Sequence, residues 1–107
     1  MSSDLTIGFL GAGKMASALA KGFVQAGLAA PQHILAGDPL ESARTAFAQT
    51  VAAKTTNRNS EVLEFAQVLV LAVKPGQVEE LLAEIRPDFS EKHLLFYGRE
   101  FSEPVIM

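Results

Sequence analysis

Three small residues, Gly11, Ala12 and Gly13, lie between an apolar run and a segment of helical periodicity in the stretch 7–23, IGFLGAGKMASALAKGF. Gly11 permits a tight turn, Gly13 leaves space for a phosphate beside the backbone, and Ala16 lets a helix pack closely on a sheet. The first amides and the dipole of that helix would favour an anion. The pattern therefore predicts a dinucleotide fingerprint with alanine in its third small position. The same sequence pattern also occurs in turns that serve only packing and in the glycine turn of methyltransferases.

Asp38 is a second candidate because it follows another apolar run, HILAG at 33–37. A carboxylate at the end of the second strand can accept hydrogen bonds from the ribose hydroxyls of a dinucleotide. With Pro39 and Glu41 behind it, Asp38 also fits the cap of a helix with a capping box. Both interpretations stay open, and they are compatible.

Composition excludes several other classes of site. The formal net charge of −3 argues against nucleic acid or anionic lipid as the main partner. The chain has no cysteine, and His33 and His93 lack metal-ligand spacing, so we expect no metal site and assign no catalytic residue. No apolar run is long enough to cross a bilayer, and the first residues lack a targeting pattern. We expect a cytoplasmic protein.

The elements that must position these residues alternate along the chain. Apolar runs predict strands, and amphipathic segments predict helices between them. The predicted strands are 6–10, 33–37, 51–56, 68–73 and 93–97, and the predicted helices begin near residues 14, 38, 59 and 76. Strands alternating with helices predict a doubly wound, Rossmann-like α/β domain, with a parallel sheet and helices on both faces. At 107 residues and 49% hydrophobic content, one domain is expected.

The first two helices carry apolar stripes that should face the sheet. Met15, Leu19 and Phe23 fall four apart in the first helix, with Ala16 and Ala20 alongside, which gives one apolar stripe. In the second helix Leu40, Ala43 and Phe47 lie on one side.

The stretch 7–23, together with VLVLAVKPGQVEELLAEI at 68–85, resembles the N-terminal cofactor domain of pyrroline-5-carboxylate reductases over roughly residues 5–95. A glycine turn is widespread, whereas its combination with AVKP after the fourth strand is more specific. The resemblance implies NADP or NAD as cofactor and a small imine as substrate of a full-length form. It implies hydride transfer to the C=N carbon, which gives proline.

The resemblance also implies which residues meet the cofactor. Residues 10–15 would hold the pyrophosphate, Asn59 would contact the adenosine side, and residues 72–75 would border the cofactor at the carboxyl edge of the sheet. Asn59 fits a plain helix cap equally well. Lys14, Arg44 and Arg58 could approach phosphate groups, although a surface charge is the expected role of each. The predicted cofactor-binding residues are Leu10, Gly11, Ala12, Gly13, Lys14, Met15, Asp38, Asn59, Ala72, Val73, Lys74 and Pro75.

Two features depart from the family pattern. Asp38 stands where members that favour NADP place a small hydroxyl residue, so it should repel a 2′-phosphate and leaves the choice of cofactor open. After Leu95 the chain reads FYGREFSEPVIM in place of a small-residue segment. We therefore expect residues 1–95 to form the dinucleotide-binding domain, 96–107 to form an atypical tail, and the family's helical substrate and dimerisation domain to be absent.

These observations lead to hypotheses of different classes. In the first hypothesis the chain is the cofactor domain of an oxidoreductase. In the second it is a non-catalytic module, which binds a nucleotide or a partner subunit but catalyses no reaction. Another reductase of the same superfamily, such as a deazaflavin-dependent NADP reductase, is a third reading. The chain alone is expected not to reduce the imine. Self-association is expected where apolar surface lacks a covering domain.

Overall fold

The computed structural model describes residues 5–73, 75–88, 94–97 and 105–106. Within these residues the strands are β1 Ile7–Leu10, β2 Ile34–Gly37, β3 Lys54–Thr56, β4 Val68–Leu71, β5 Leu94–Tyr97 and β6 Val105–Ile106. The helices are α1 Lys14–Gln25, α2 Glu41–Val51, α3 Asn59–Phe65 and α4 Pro75–Ile85, with short 3₁₀ turns at Pro31–His33 and Arg86–Asp88. No helix among the described residues is long and apolar enough to cross a membrane.

The strands form one sheet in the order β3-β2-β1-β4-β5-β6. Strands β1 to β5 pair in parallel, so the predicted parallel sheet is confirmed. Because β1 lies between β2 and β4, the chain winds outwards in both directions from it. Loops that follow β1 and β4 therefore diverge at one edge, where open α/β sheets bind ligands.

The last strand departs from the sequence analysis. β6 pairs antiparallel with β5, through Phe96 with Ile106 and Tyr97 with Val105. A strand of two residues is too short to show a periodic pattern, so the sequence carried no signal for it. Residues 98–104 and 107 of the expected tail lie outside the described residues.

Helices cover both faces of the sheet, as predicted. On one face Phe9 packs between Phe23 of α1 and Phe47 of α2, with ring centroids 6.1 and 5.9 Å apart. On the other face, leucines of β1 and β4 pack with apolar residues of α3 and α4. Each fully buried leucine or phenylalanine contributes about 1.5–3 kcal/mol by leaving water, so the two cores hold the helices in place.

The predicted stripe of α1 is wrong at its first position. Ala16 and Ala20 are completely buried, Leu19 and Phe23 are partly buried, and the side chain of Met15 is 46% exposed. Alanines spaced four apart put the helix backbone close to the sheet. Met15 is rotated about 100° away from Ala16 on a helix of 3.6 residues per turn, so it points away from the core.

The start of α2 also differs. The helix begins at Glu41 with Leu40 as its N-cap, so the predicted capping box built on Asp38 is wrong. Phe47 is buried as predicted, but Leu40 is 64% exposed because it precedes the helix and does not share its apolar face. Val51 belongs to α2 and not to β3.

Asn59 is likewise not a helix cap. It is the first residue of α3, and Arg58 occupies the N-cap position. The Thr56 hydroxyl donates a hydrogen bond to the Glu61 carboxylate and accepts one from the Arg58 amide, which fixes the turn between β3 and α3.

Gly8 sets how closely α3 approaches the sheet. A Cβ atom added at Gly8 would lie 2.6 Å from Val62 Cγ1 and 2.7 Å from Ala66 Cβ. Such distances are well inside van der Waals contact, so the helix can rest on β1 only because residue 8 has no side chain.

We predict that Gly8→Ala lowers the free energy of unfolding by about 1–3 kcal/mol through overpacking. Gly22→Ala is the matched control, because Gly22 lies inside α1 and a Cβ there would meet no atom within 4 Å. That control should gain about 0.5–1 kcal/mol from helix propensity. Urea unfolding of both variants measures the difference, and a Gly8→Ala variant as stable as the parent would contradict this packing.

Candidate functional site

The carboxyl ends of β1, β2, β3 and β4 are joined by backbone hydrogen bonds. The Gly11 amide donates to the Gly37 carbonyl at 2.7 Å, and the Ala72 amide donates to the Leu10 carbonyl at 2.9 Å. The Asp38 amide donates to the Thr56 carbonyl at 3.0 Å. The loops that leave these strands are therefore held side by side at one edge of the sheet.

Gly11 is required by the chain itself. Its φ is +109°, and a Cβ there would lie 2.5 Å from the carbonyl oxygen of Ala72. Both the backbone angle and the close approach of a neighbouring backbone exclude a side chain. The tight turn predicted for Gly11 thus has a physical basis in the structure.

Gly13 is different, because nothing in the described chain requires glycine there. Its φ of −79° suits any residue, it is exposed, and an added Cβ would meet no atom within 4 Å. Gly13 precedes α1 and supplies no side-chain cap to it. The first amides of α1 have no acceptor within the helix, and they lie at the positive end of the helix dipole, a combination that favours anions in general.

Asp38 contacts two backbone segments at once. Its Oδ2 accepts a hydrogen bond from the Ala12 amide and its Oδ1 accepts one from the Leu40 amide, both at 2.9 Å. Arg44 is half-buried, and its Nη1 donates to the carbonyl oxygen of Asp38 at 2.7 Å, which places this cation beside the site. The half-buried carboxylate joins the glycine turn to the segment that precedes α2.

A cleft of about 580 Å³ opens between the segment after β2 and one face of α4. Leu40 and Leu81 contribute apolar surface, and no described residue of its lining is basic. Asn59 Nδ2 donates to Glu84 Oε2 at 3.0 Å, which links α3 to α4 across the cleft. The carboxylates of the lining are Asp38, Glu80 and Glu84.

The structure brings most of the predicted site residues to this edge. Leu10, Gly11, Asp38, Asn59 and Val73 line the cleft. The remaining predicted residues with described positions are in the turn after β1 and the start of α1, in the segment after β4, or at the start of α4: Ala12, Gly13, Lys14, Met15, Ala72 and Pro75. Lys74 lies outside the described residues. Their roles toward a cofactor stay predictions.

Sequence reasoning missed the cleft face of α4. Gln77, Glu80, Leu81 and Glu84 all line the cleft. Their spacing of three, four and seven places them on one side of a helix that follows a buried strand. The sequence spacing therefore predicts a shared helix face, but none of these residue types by itself indicates a ligand-binding site. Asn57, in the loop after β3, also lines the cleft and carried no signal.

Comparison with known proteins agrees with this arrangement. Residues 6–95 match the model of a protein family described as NADP oxidoreductase, coenzyme F420-dependent. Pyrroline-5-carboxylate reductase 3 of Mus musculus is 35% identical over 95 residues, which are 89% of this chain and 34% of that protein. The chain thus spans about a third of the length of the curated relatives it matches.

Solved structures give the same result. A pyrroline-5-carboxylate reductase from Coxiella burnetii superimposes with a TM-score of 0.77 at 26% identity, over 89% of this chain and 36% of that one. The Plasmodium falciparum pyrroline carboxylate reductase with NADP bound superimposes with a TM-score of 0.71 at 27% identity, over 92% of this chain and 35% of that one. The resemblance that the sequence motifs indicated is confirmed, and so is the α/β fold.

We predict that Gly11→Ala destabilises the protein more than Gly27→Ala does. Both glycines have a positive φ, +109° and +77°, but an added Cβ at Gly27 would meet no atom within 4 Å. Gly27→Ala measures the cost of a left-handed backbone without a clash, whereas at Gly11 the φ lies farther from that region and the approach of the Ala72 carbonyl adds roughly 1–3 kcal/mol. Free energies of unfolding in urea measure both, and equal losses would show that the turn relaxes without cost.

Proposed function

The chain belongs to the coenzyme F420-dependent NADP oxidoreductase family, and from this premise we propose that it is the nicotinamide dinucleotide-binding domain of an oxidoreductase of the pyrroline-5-carboxylate reductase type. The glycine turn and the start of α1 bind the pyrophosphate. The cleft beside Asp38 and α4 binds the adenosine, and the ends of β1 and β4 border the nicotinamide.

The observation that carries this proposal is the open space at Gly13. Neither the backbone angle nor any described neighbour requires glycine there, and the absence of a side chain leaves the backbone at the start of α1 accessible to a ligand. The first amides of α1, which follow Gly13, have no acceptor within the helix, and helix N-termini of this kind favour phosphate groups. Gly11 and Gly13 thus have separate tasks, one in forming the turn and one in admitting the ligand.

The cleft supports the placement of the adenosine. Leu40 and Leu81 offer apolar surface to a purine ring, and the volume of about 580 Å³ falls in the range of small-molecule sites. Leu40 remains 64% exposed without a ligand, which agrees with a side chain that is covered only when the cleft is filled. Asn59 stands at the border of the same cleft, where its amide already bonds Glu84.

The proposed reaction of the whole protein is reduction of a small cyclic imine. The cofactor supplies the hydride, while the protein supplies orientation and charge complementarity. Ala72 and Val73 are the described residues that directly follow β4, and neither carries a charge. They form one wall of the site beside the carboxyl end of that strand. A substrate imine such as pyrroline-5-carboxylate would meet this wall, and the remaining contacts would come from elsewhere in the enzyme. A cytoplasmic location and a homo-oligomeric assembly belong to the same proposal.

The family description favours a second candidate reaction. Hydride exchange between NADP and coenzyme F420, a deazaflavin, would use the same nucleotide site. Assays with pyrroline-5-carboxylate and with reduced coenzyme F420 separate the two reactions. Binding of nucleotide without turnover of either is the result expected of a non-catalytic module.

We predict that Gly13→Val abolishes dinucleotide binding without unfolding the protein. The valine side chain would fill the space beside the first amides of α1, where the pyrophosphate is proposed to lie, while its Cβ would have no atom of the chain within 4 Å. Calorimetric titration with NADH and NADPH measures the affinity, and urea unfolding serves as the control for stability. Unchanged affinity in a folded Gly13→Val variant would refute the assignment of the turn.

We further predict that NADH binds at least as tightly as NADPH. Asp38, Glu80 and Glu84 make the cleft acidic, and a carboxylate near a 2′-phosphate at a partly solvated site costs on the order of 1–2 kcal/mol, about tenfold in affinity. Asp38→Ser should raise the ratio of NADPH to NADH affinity. A parent protein that binds NADPH far more tightly would mean that Arg44, which lies beside Asp38, dominates the field at the 2′ position.

A further inference from the structure

We propose that Asp38 is a positioning residue that fixes the phosphate-binding turn through the Ala12 amide, and that this is its main contribution to nucleotide binding. The inference rests on the proposed function and concerns the same site. It assigns the carboxylate to the backbone of the protein and not to the ribose hydroxyls of the cofactor.

The Ala12 amide needs an acceptor. Ala12 is only 1% exposed, so its N–H has little access to water, and Asp38 Oδ2 accepts its hydrogen bond at 2.9 Å. A bond from an amide to a carboxylate is shorter and stronger than one between neutral groups. Removing the carboxylate would leave a buried donor without its partner, which is costlier than losing an exposed bond.

The turn is held by packing at two points, where the Ala12 side chain enters the core and where Gly11 lies against the Ala72 carbonyl. Gly11 and Gly13 carry no side chains and glycine has unusual backbone freedom, so backbone hydrogen bonds must fix the rest of its shape. The Gly11 amide bonds the Gly37 carbonyl at 2.7 Å, and the Gly13 carbonyl accepts from the Ser17 amide at 2.9 Å. The middle of the turn between these two points is held by Asp38. The direction of the amides that follow Ala12 therefore depends on this carboxylate.

Asp38 is itself held in orientation. Its Oδ1 accepts from the Leu40 amide at 2.9 Å, and its carbonyl oxygen accepts from Arg44 Nη1 at 2.7 Å. With one bond to each carboxylate oxygen, the carboxylate cannot rotate without losing a backbone contact, while each oxygen keeps a second lone pair. Leu40 also lines the cleft, so the Asp38 side chain joins the proposed pyrophosphate side of the site to its adenosine side.

The test compares two ligands that differ only at the ribose. ADP and 2′,3′-dideoxy-ADP are titrated calorimetrically into the parent, Asp38→Ala and Asp38→Asn. If Asp38 acts through the turn, Asp38→Ala weakens both ligands by the same factor, about tenfold. Asp38→Asn keeps the shape and one acceptor oxygen, so it should weaken both ligands equally but less, and it preserves the test if Asp38→Ala fails to fold. A loss seen with ADP and absent with the dideoxy ligand would overturn the proposal, because it would identify Asp38 as a ribose ligand.

Amide hydrogen exchange by NMR without nucleotide tests the contact separately. Asp38→Ala should speed exchange at the Ala12 amide, while Glu41→Ala, which removes an exposed carboxylate at the first position of α2, should leave that rate and ADP affinity unchanged. An Ala12 rate that Asp38→Ala does not alter, or unweakened binding of both ligands, would overturn this inference alone. Failure of the parent to bind ADP would instead overturn the nucleotide site and this inference with it.

Discussion

The close approach of two backbones at Gly11 is the constraint on which the rest of the site depends. The turn after β1 lies against the carbonyl of Ala72, at a distance that no side chain could share. This contact brings the loops after β1 and β4 together at the carboxyl edge of the sheet. The hydrogen bond from the Ala72 amide to the Leu10 carbonyl joins the ends of β4 and β1, and the bond from the Gly11 amide to the Gly37 carbonyl brings the end of β2 to the same place. The cleft and the start of α1 take their positions from this arrangement.

Two glycines separated by one residue serve opposite physical needs. At Gly11 the protein itself occupies the space of a side chain, whereas at Gly13 that space is open. Between them the buried Ala12 amide is satisfied by Asp38, so a charged side chain that directly follows β2 adds a hydrogen bond to a turn that also packs through Ala12. Charge and backbone geometry thus act on the same few residues, and a change at Asp38 affects both.

The fold was largely predictable because alternating strands and helices restrict the topology strongly. The glycine turn was also predictable, since its requirements are local. The exposure of Met15 and Leu40 was not predictable. The positions of apolar residues in the sequence do not give the angle at which a helix meets the sheet, or the residue at which the helix begins. The bond from Ala12 to Asp38 joins residues far apart in sequence through a backbone amide, which no side-chain pattern reveals. For the same reason the sequence indicated an acid near the ribose but not its two backbone contacts.

The account makes one central claim, that the start of α1 and the neighbouring cleft form a single dinucleotide site. Titration of the isotopically labelled chain with NADH, followed by the chemical shifts of its backbone amides, tests it most directly. The account predicts the largest changes at Gly13, Lys14 and Met15, with a second group at Leu40, Gln77 and Leu81 that saturates at the same concentration. Saturable changes confined to other parts of the chain, or none at Gly13 to Met15, would contradict it.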